Sequence, residues 1–68
     1  MDDPTTIEGQ IACAGRELGM RRRVYPKWVE ADRMTEEKAF REIAGMEAIL
    51  ATLHRIKEER SPQAKLGL

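Results

Sequence analysis

In two separate segments of the chain, apolar residues recur at alternating steps of four and three. Only four residues, Asp32-Arg33-Met34-Thr35, separate the segments. In the first, Ile7, Ile11, Ala14, Leu18, Arg21, Tyr25 and Trp28 fall on one face of a helix, and the stripe is apolar until Arg21 interrupts it. In the second, Ala39, Ile43, Met46, Leu50 and Leu53 repeat the spacing. Ile49 and Ile56 widen that stripe on one flank, and Phe40, Ala44 and Ala51 widen it on the other. The break between them has no strand pattern, and a connection this short makes two helices antiparallel neighbours. The expected fold is therefore all-α. It is an antiparallel helical hairpin, with helix 1 over about residues 5–31 and helix 2 over about residues 36–60.

The segment ends carry the signals that helices need. Two starts are open for helix 1. Asp3 can cap it with Pro4 in the first position, where a missing N–H costs nothing, or Thr5 and Glu8 can form a capping box. Helix 2 opens at Thr35, a good cap, with Glu36 and Glu37 where the positive helix terminus favours acids. Arg55, Lys57 and Arg60 gather near its end, and Ser61-Pro62 stops it. Residues 62–68 read as a flexible tail on a single domain spanning 1–68.

A chain of 68 residues buries a modest share of its surface and often needs extra support. Cys13 is the only cysteine and His54 the only histidine, so neither an internal disulfide nor a metal site is expected. Helix 2 is apolar over more of its circumference than one neighbour covers. The economical solution is two hairpins face to face, a homodimer forming a four-helix assembly. Ile43, Met46, Ile49, Leu50, Leu53 and Ile56 are the expected dimer interface. On helix 1, Ala12, Gly15 and Gly19 form a line of small residues. Each glycine there weakens a helix by about 1 kcal/mol relative to alanine, which suggests close approach by another helix. Cys13, Met20 and Val24 lie away from the main stripe and face outward in an isolated hairpin.

The stretch RRRVYPKWV, residues 21–29, holds the only Tyr and only Trp beside the densest positive charge. Pro26 cannot donate to the carbonyl of Arg22, so helix 1 is expected to kink there and continue to about Ala31. Arg21, at the end of the stripe, snorkels or meets an acid. Arg22 and Arg23 face outward, and Lys27 extends their basic surface. Tyr25 and Trp28 either cover the open end of the hairpin or point at a partner. Arg22, Arg23, Tyr25, Lys27 and Trp28 form the candidate partner-binding set, since Arg, Tyr and Trp are enriched at interface hot spots. A merely solvated face is the competing reading.

Twelve basic and twelve acidic residues cancel, which lowers a nucleic-acid reading without removing it. The charge is uneven: residues 15–33 hold six bases against three acids, whereas residues 1–9 hold three acids and no base. A helical dimer that grips phosphates through the basic cluster from Arg21 to Lys27 is thus the alternative function. No window approaches the roughly 18 apolar residues a membrane span requires, and no secretory signal is visible. A soluble cytoplasmic protein is the expectation. There is no glycine-rich phosphate loop, GxSxG or HExxH, and neither Cys13 nor His54 has a catalytic partner at a matching spacing. An enzyme and a cofactor are therefore not expected.

One pattern extends beyond these local signals. Arg16–Leu18 with Met20-Arg21 read REL-x-MR, Tyr25-Pro26 with Trp28-Val29 read YP-x-WV, and Arg33–Thr35 read RMT. Ala39, Arg41–Ile43 and Met46–Leu53 then read A-x-REI-x-x-MEAILATL. Across residues 15–53 this resembles a family of short helical proteins encoded by temperate phages and prophages. The group is similar in size and hairpin pattern to a phage quorum-sensing anti-activator. That protein is a small helical dimer that blocks DNA binding by a LuxR-type transcription regulator and also interferes with a pilus-assembly ATPase. The resemblance implies a protein that binds and inhibits a host bacterial protein, in the host cytoplasm. It transfers no individual residue role.

Overall fold

The computed structural model describes Asp3 and residues 5–60. Within these lie two helices, α1 (Ile7–Glu30) and α2 (Glu36–Glu59). Each has 24 residues and so runs about 36 Å. The chain is an all-α helical hairpin, as the two periodic segments imply. Arg21 of α1 lies against Glu42, while Leu18, one turn earlier, lines a groove with Leu50, Ala51 and His54. Moving back along α1 moves forward along α2, which is antiparallel packing. The tail expected at 62–68 lies outside the described residues, as does Pro4.

The N-cap of α1 lies one residue beyond Thr5 and three beyond Asp3, the two expected caps. Thr6 is the N-cap, and its hydroxyl accepts from the Gly9 N–H at 3.0 Å. Asp3 and Thr5 instead build a turn just ahead of it. The Asp3 carboxylate accepts from the Thr5 N–H at 2.9 Å and from the Thr5 hydroxyl at 2.7 Å. The Asp3 carbonyl accepts from the Thr6 hydroxyl. Those Thr5 donors, the backbone N–H first, hold the Asp3 carboxyl below its ordinary pKa. Three capping-type residues within four positions, Asp3, Thr5 and Thr6, compete for one helix end. Thr6 wins because Asp3 has its own turn to close. At α2 there is no such competition: Thr35 caps as expected and accepts from Lys38 N–H at 3.1 Å.

Helix α1 runs through Pro26 to Glu30, so the proline does not end it. Pro26 has no N–H to give the Arg22 carbonyl, and the interior penalty is about 3 kcal/mol. Packing of the flanking turns against α2 must offset that. The helix then stops in a Schellman motif. The Asp32 N–H donates to Val29 at 3.0 Å, and the Arg33 N–H reaches back to the Trp28 carbonyl at 2.8 Å. The motif puts Asp32 in the left-handed region, φ 59°, where glycine is the usual residue. Met34, half-buried, follows it, and the chain reverses within Ala31–Thr35.

The core is one thin layer between the helices. Ala14, Leu18 and Met46 form its centre, with Ile43, Leu50 and Leu53 packed around them. Tyr25 and Ala39 are buried as well, at Pro26's end of the hairpin. None of the described side chains is wholly buried, not even Leu18 at 6% exposure. A buried leucine contributes about 2 kcal/mol, so a core of this size gives a marginal margin over chain entropy.

Candidate interaction surfaces

Two arginines that adjoin in sequence straddle the seam between the helices. Residues one apart on a helix point about 100° apart, so Arg21 and Arg22 leave the stripe on opposite sides. Arg21 Nε donates to Glu17 Oε2 at 2.9 Å, and its Nη1 donates to the Glu42 carbonyl at 2.8 Å, with the Glu42 carboxylate at 3.7 Å. Hydrogen bonding to Glu17 is the main cause that holds the Arg21 guanidinium even more basic than usual. Arg21 thus meets acids, as its position implies. Arg22 Nη2 pairs with Glu47 Oε2 at 2.5 Å on the other side. The two pairs define an Arg21 side and an Arg22 side of the hairpin.

On the Arg21 side, helical spacing places Val24 and Trp28 of α1 and Ile49 and Ile56 of α2. Ile49 is 51% exposed and Trp28 38% exposed. Trp28 is nonetheless held. Its ring stacks on Tyr25, with centroids 5.5 Å apart and planes 26° apart. The Arg21 guanidinium carbon lies 5.9 Å from the Tyr25 ring centre, within cation–π range. Tyr25 itself is buried at 8% exposure, so it does not face outward as the partner-binding set requires; it supports Trp28 from below. The helical angles account for this. Tyr25 lies near the middle of the stripe that meets α2, and Trp28 lies at its edge.

On the Arg22 side lie Gly15 and Gly19 of α1 and Phe40, Ala44, Ala51 and His54 of α2. Phe40 is 73% exposed, more than any other large apolar side chain among the described residues. A Cβ added at Gly15 or Gly19 meets nothing within 4 Å. Among the described residues, neither glycine is needed for close packing. Between the helices on this side runs a groove of about 360 Å³ lined by Leu18, Arg22, Glu47, Leu50, Ala51 and His54.

The outer face of α1 carries Arg16, Arg23 and Lys27, all exposed. None of the three makes an ion pair with a described residue. The expected partner-binding set is therefore divided. Arg23 and Lys27 share the outer face, Arg22 is engaged by Glu47, Trp28 lies on the Arg21 side and Tyr25 is inside. The expected dimer interface divides too. Met46 is buried in the hairpin's own core, and Ile43, Leu50 and Leu53 are half-buried against it. Ile56 is half-buried and Ile49 stands exposed. The reason is geometric: one neighbouring helix covers a wider arc of α2 than the four-three stripe alone suggests. Sequence reasoning placed Phe40 on a flank without singling it out, and it did not pair Arg22 with Glu47. The first was visible in the helical angle of Phe40, whereas the second needs the register between helices.

Among the described residues no helix is long and apolar enough to cross a membrane, and no three metal-type side chains are grouped. Cys13 is a free, exposed thiol. Compared with protein-family models, curated proteins and solved structures, the chain matches none.

Proposed function

We propose that this chain is a small interaction protein of a temperate phage. It works as a homodimer of hairpins in the host cytoplasm and inhibits a host bacterial protein by covering a working surface. The observation that carries the interaction reading is Trp28. A large ring that is over one-third exposed, yet braced by a buried tyrosine beneath it, is a pre-organised anchor. Such a ring loses little freedom when a partner covers it, and Trp is among the residues most enriched at hot spots. Exposed Ile49 on the same side extends the apolar area. Arg23 and Lys27, which form no ion pair with a described residue, supply charge around the rim, where it guides encounter more than it adds affinity. The phage origin, the inhibitory role and a LuxR-type regulator as target class rest on the resemblance across residues 15–53.

The test is capture from bacterial lysate on immobilised full-length chain, identified by mass spectrometry. Trp28→Ala is expected to weaken capture of a specific partner by at least tenfold, and Arg23→Ala with Lys27→Ala by a smaller, salt-sensitive factor. Capture unchanged by Trp28→Ala removes the site.

The row Arg16, Arg23 and Lys27, unpaired among the described residues, favours a second reading, in which α1 lies along a nucleic-acid backbone. Of the basic cluster Arg21–Lys27, Arg21 and Arg22 are already engaged by carboxylates. A gel shift at low salt that is tight, and that weakens by about one unit of log–log salt slope for each cation removed, selects that reading.

A further inference from the structure

We propose that the Arg22 side of the hairpin is the face that joins two copies of this chain, with Phe40 of each copy seated in the groove of the other. This rests on the homodimer reading above and names the surface that performs it. It differs from the interface read from the apolar stripe, which the hairpin largely uses for its own core.

Four observations converge. Phe40 is a protruding knob at 73% exposure among the described residues. The groove by Leu18, Ala51 and His54 is a hole on the same side of the same hairpin. Knob and hole are also spaced for self-complementarity. Phe40 and His54 lie equally far on either side of Glu47, about 10 Å each way along α2. A two-fold axis that lies between the two faces, passes over α2 at Glu47 and runs at right angles to the helices puts each Phe40 over the other copy's groove. That is the isologous arrangement closed dimers require. Next to the hole, Gly15 and Gly19 present bare backbone with open space in front of it, so a second hairpin can approach closely.

Charge and area fit as well. The groove carries Arg22 and Glu47, which neutralise each other at 2.5 Å, so closing over the groove leaves neither of these two unpaired. A face about 36 Å long and about 20 Å across offers about 700 Å² per chain, near the roughly 800 Å² per partner of a standard interface. The braced Trp28 and the free cations of α1 stay outside this contact, so each twin keeps one target-binding side.

Sedimentation equilibrium of the full chain at micromolar concentrations tests the assignment. The unmodified chain is expected to be dimeric. Phe40→Ala is expected to weaken the dimer roughly 30-fold, as loss of a central aromatic anchor does. Gly19→Leu, at an exposed position where an added Cβ meets nothing within 4 Å, is expected to do the same while circular dichroism retains the helices. Ile49→Ala on the Arg21 side is expected to leave the dimer intact. A dimer broken by Ile49→Ala and indifferent to Phe40→Ala and Gly19→Leu overturns this face but leaves the homodimer standing. A folded monomer at every concentration overturns both, and lysate capture by Trp28 is then judged on its own.

Discussion

Asp32 sits where a glycine is expected, and replacing it with one should stabilise the hairpin. The backbone there has φ 59° and closes the Schellman motif that ends α1. An L-residue held in the left-handed region costs about 1 kcal/mol or more, less for Asp than for most, and glycine removes that cost. Asp32 also places a negative charge beside the negative end of α1, which costs a further several tenths of a kcal/mol when exposed. Against these, glycine loses more backbone freedom on folding, a penalty of about 0.5–1 kcal/mol. The expected net gain for Asp32→Gly is about 0.5–1 kcal/mol, or about 2–8 °C in melting temperature for a chain this short. Two companions separate the causes. Asp32→Asn keeps the tolerance of the left-handed region and removes only the charge, so it should gain a few tenths of a kcal/mol. Asp32→Ala removes the charge and raises the strain, so it should be the least stable of the three. Thermal melts by circular dichroism at fixed protein concentration decide the order. If Asp32→Ala equals or exceeds Asp32→Gly in stability, the left-handed strain argument fails.

Gly45 lies mid-helix on α2 with open space where a Cβ would stand, so Gly45→Ala should stabilise by about 1 kcal/mol in a chemical melt. Thr35→Ala removes the hydroxyl that accepts from Lys38 and should cost about 1 kcal/mol in the same assay. Leu18→Ala opens the centre of a thin core and should cost about 3 kcal/mol, enough to leave the chain largely unfolded by circular dichroism. A double-mutant cycle of Arg22→Ala with Glu47→Ala should give a coupling of only about 0.2–1 kcal/mol that shrinks with salt, because both side chains are about half exposed.

The two helices, their order and the short reversal were legible because a four-three period over some 24 residues has no other economical meaning. Thr35 was legible as a cap because it is the last capping residue before the second stripe. The start of α1 was not, because Asp3, Thr5 and Thr6 are all capable and only the Asp3–Thr5 turn decides between them. Arg21's acidic partners were foreseeable from its place at the stripe's edge, and Glu17 stands one turn before it. The fate of Tyr25 turned on about 60° of helix rotation relative to Trp28, a difference that residue type hides. Contacts between helices, such as Arg22 with Glu47, depend on the relative slide of two rods. Local pattern does not encode that slide.

Trp28 is the only indole in the chain, and it stands half in water against Tyr25. The molecule therefore carries its own optical probe at the point where a target would land. Emission from the free chain comes from one partly wetted environment. A partner that closes over the ring must shift that emission to shorter wavelength and shield it from iodide, with no added dye. Pairing through the opposite side, where Phe40 is invisible at tryptophan excitation, should leave the spectrum unmoved. A shift seen on adding target thus reports target binding alone, whatever the state of pairing between copies.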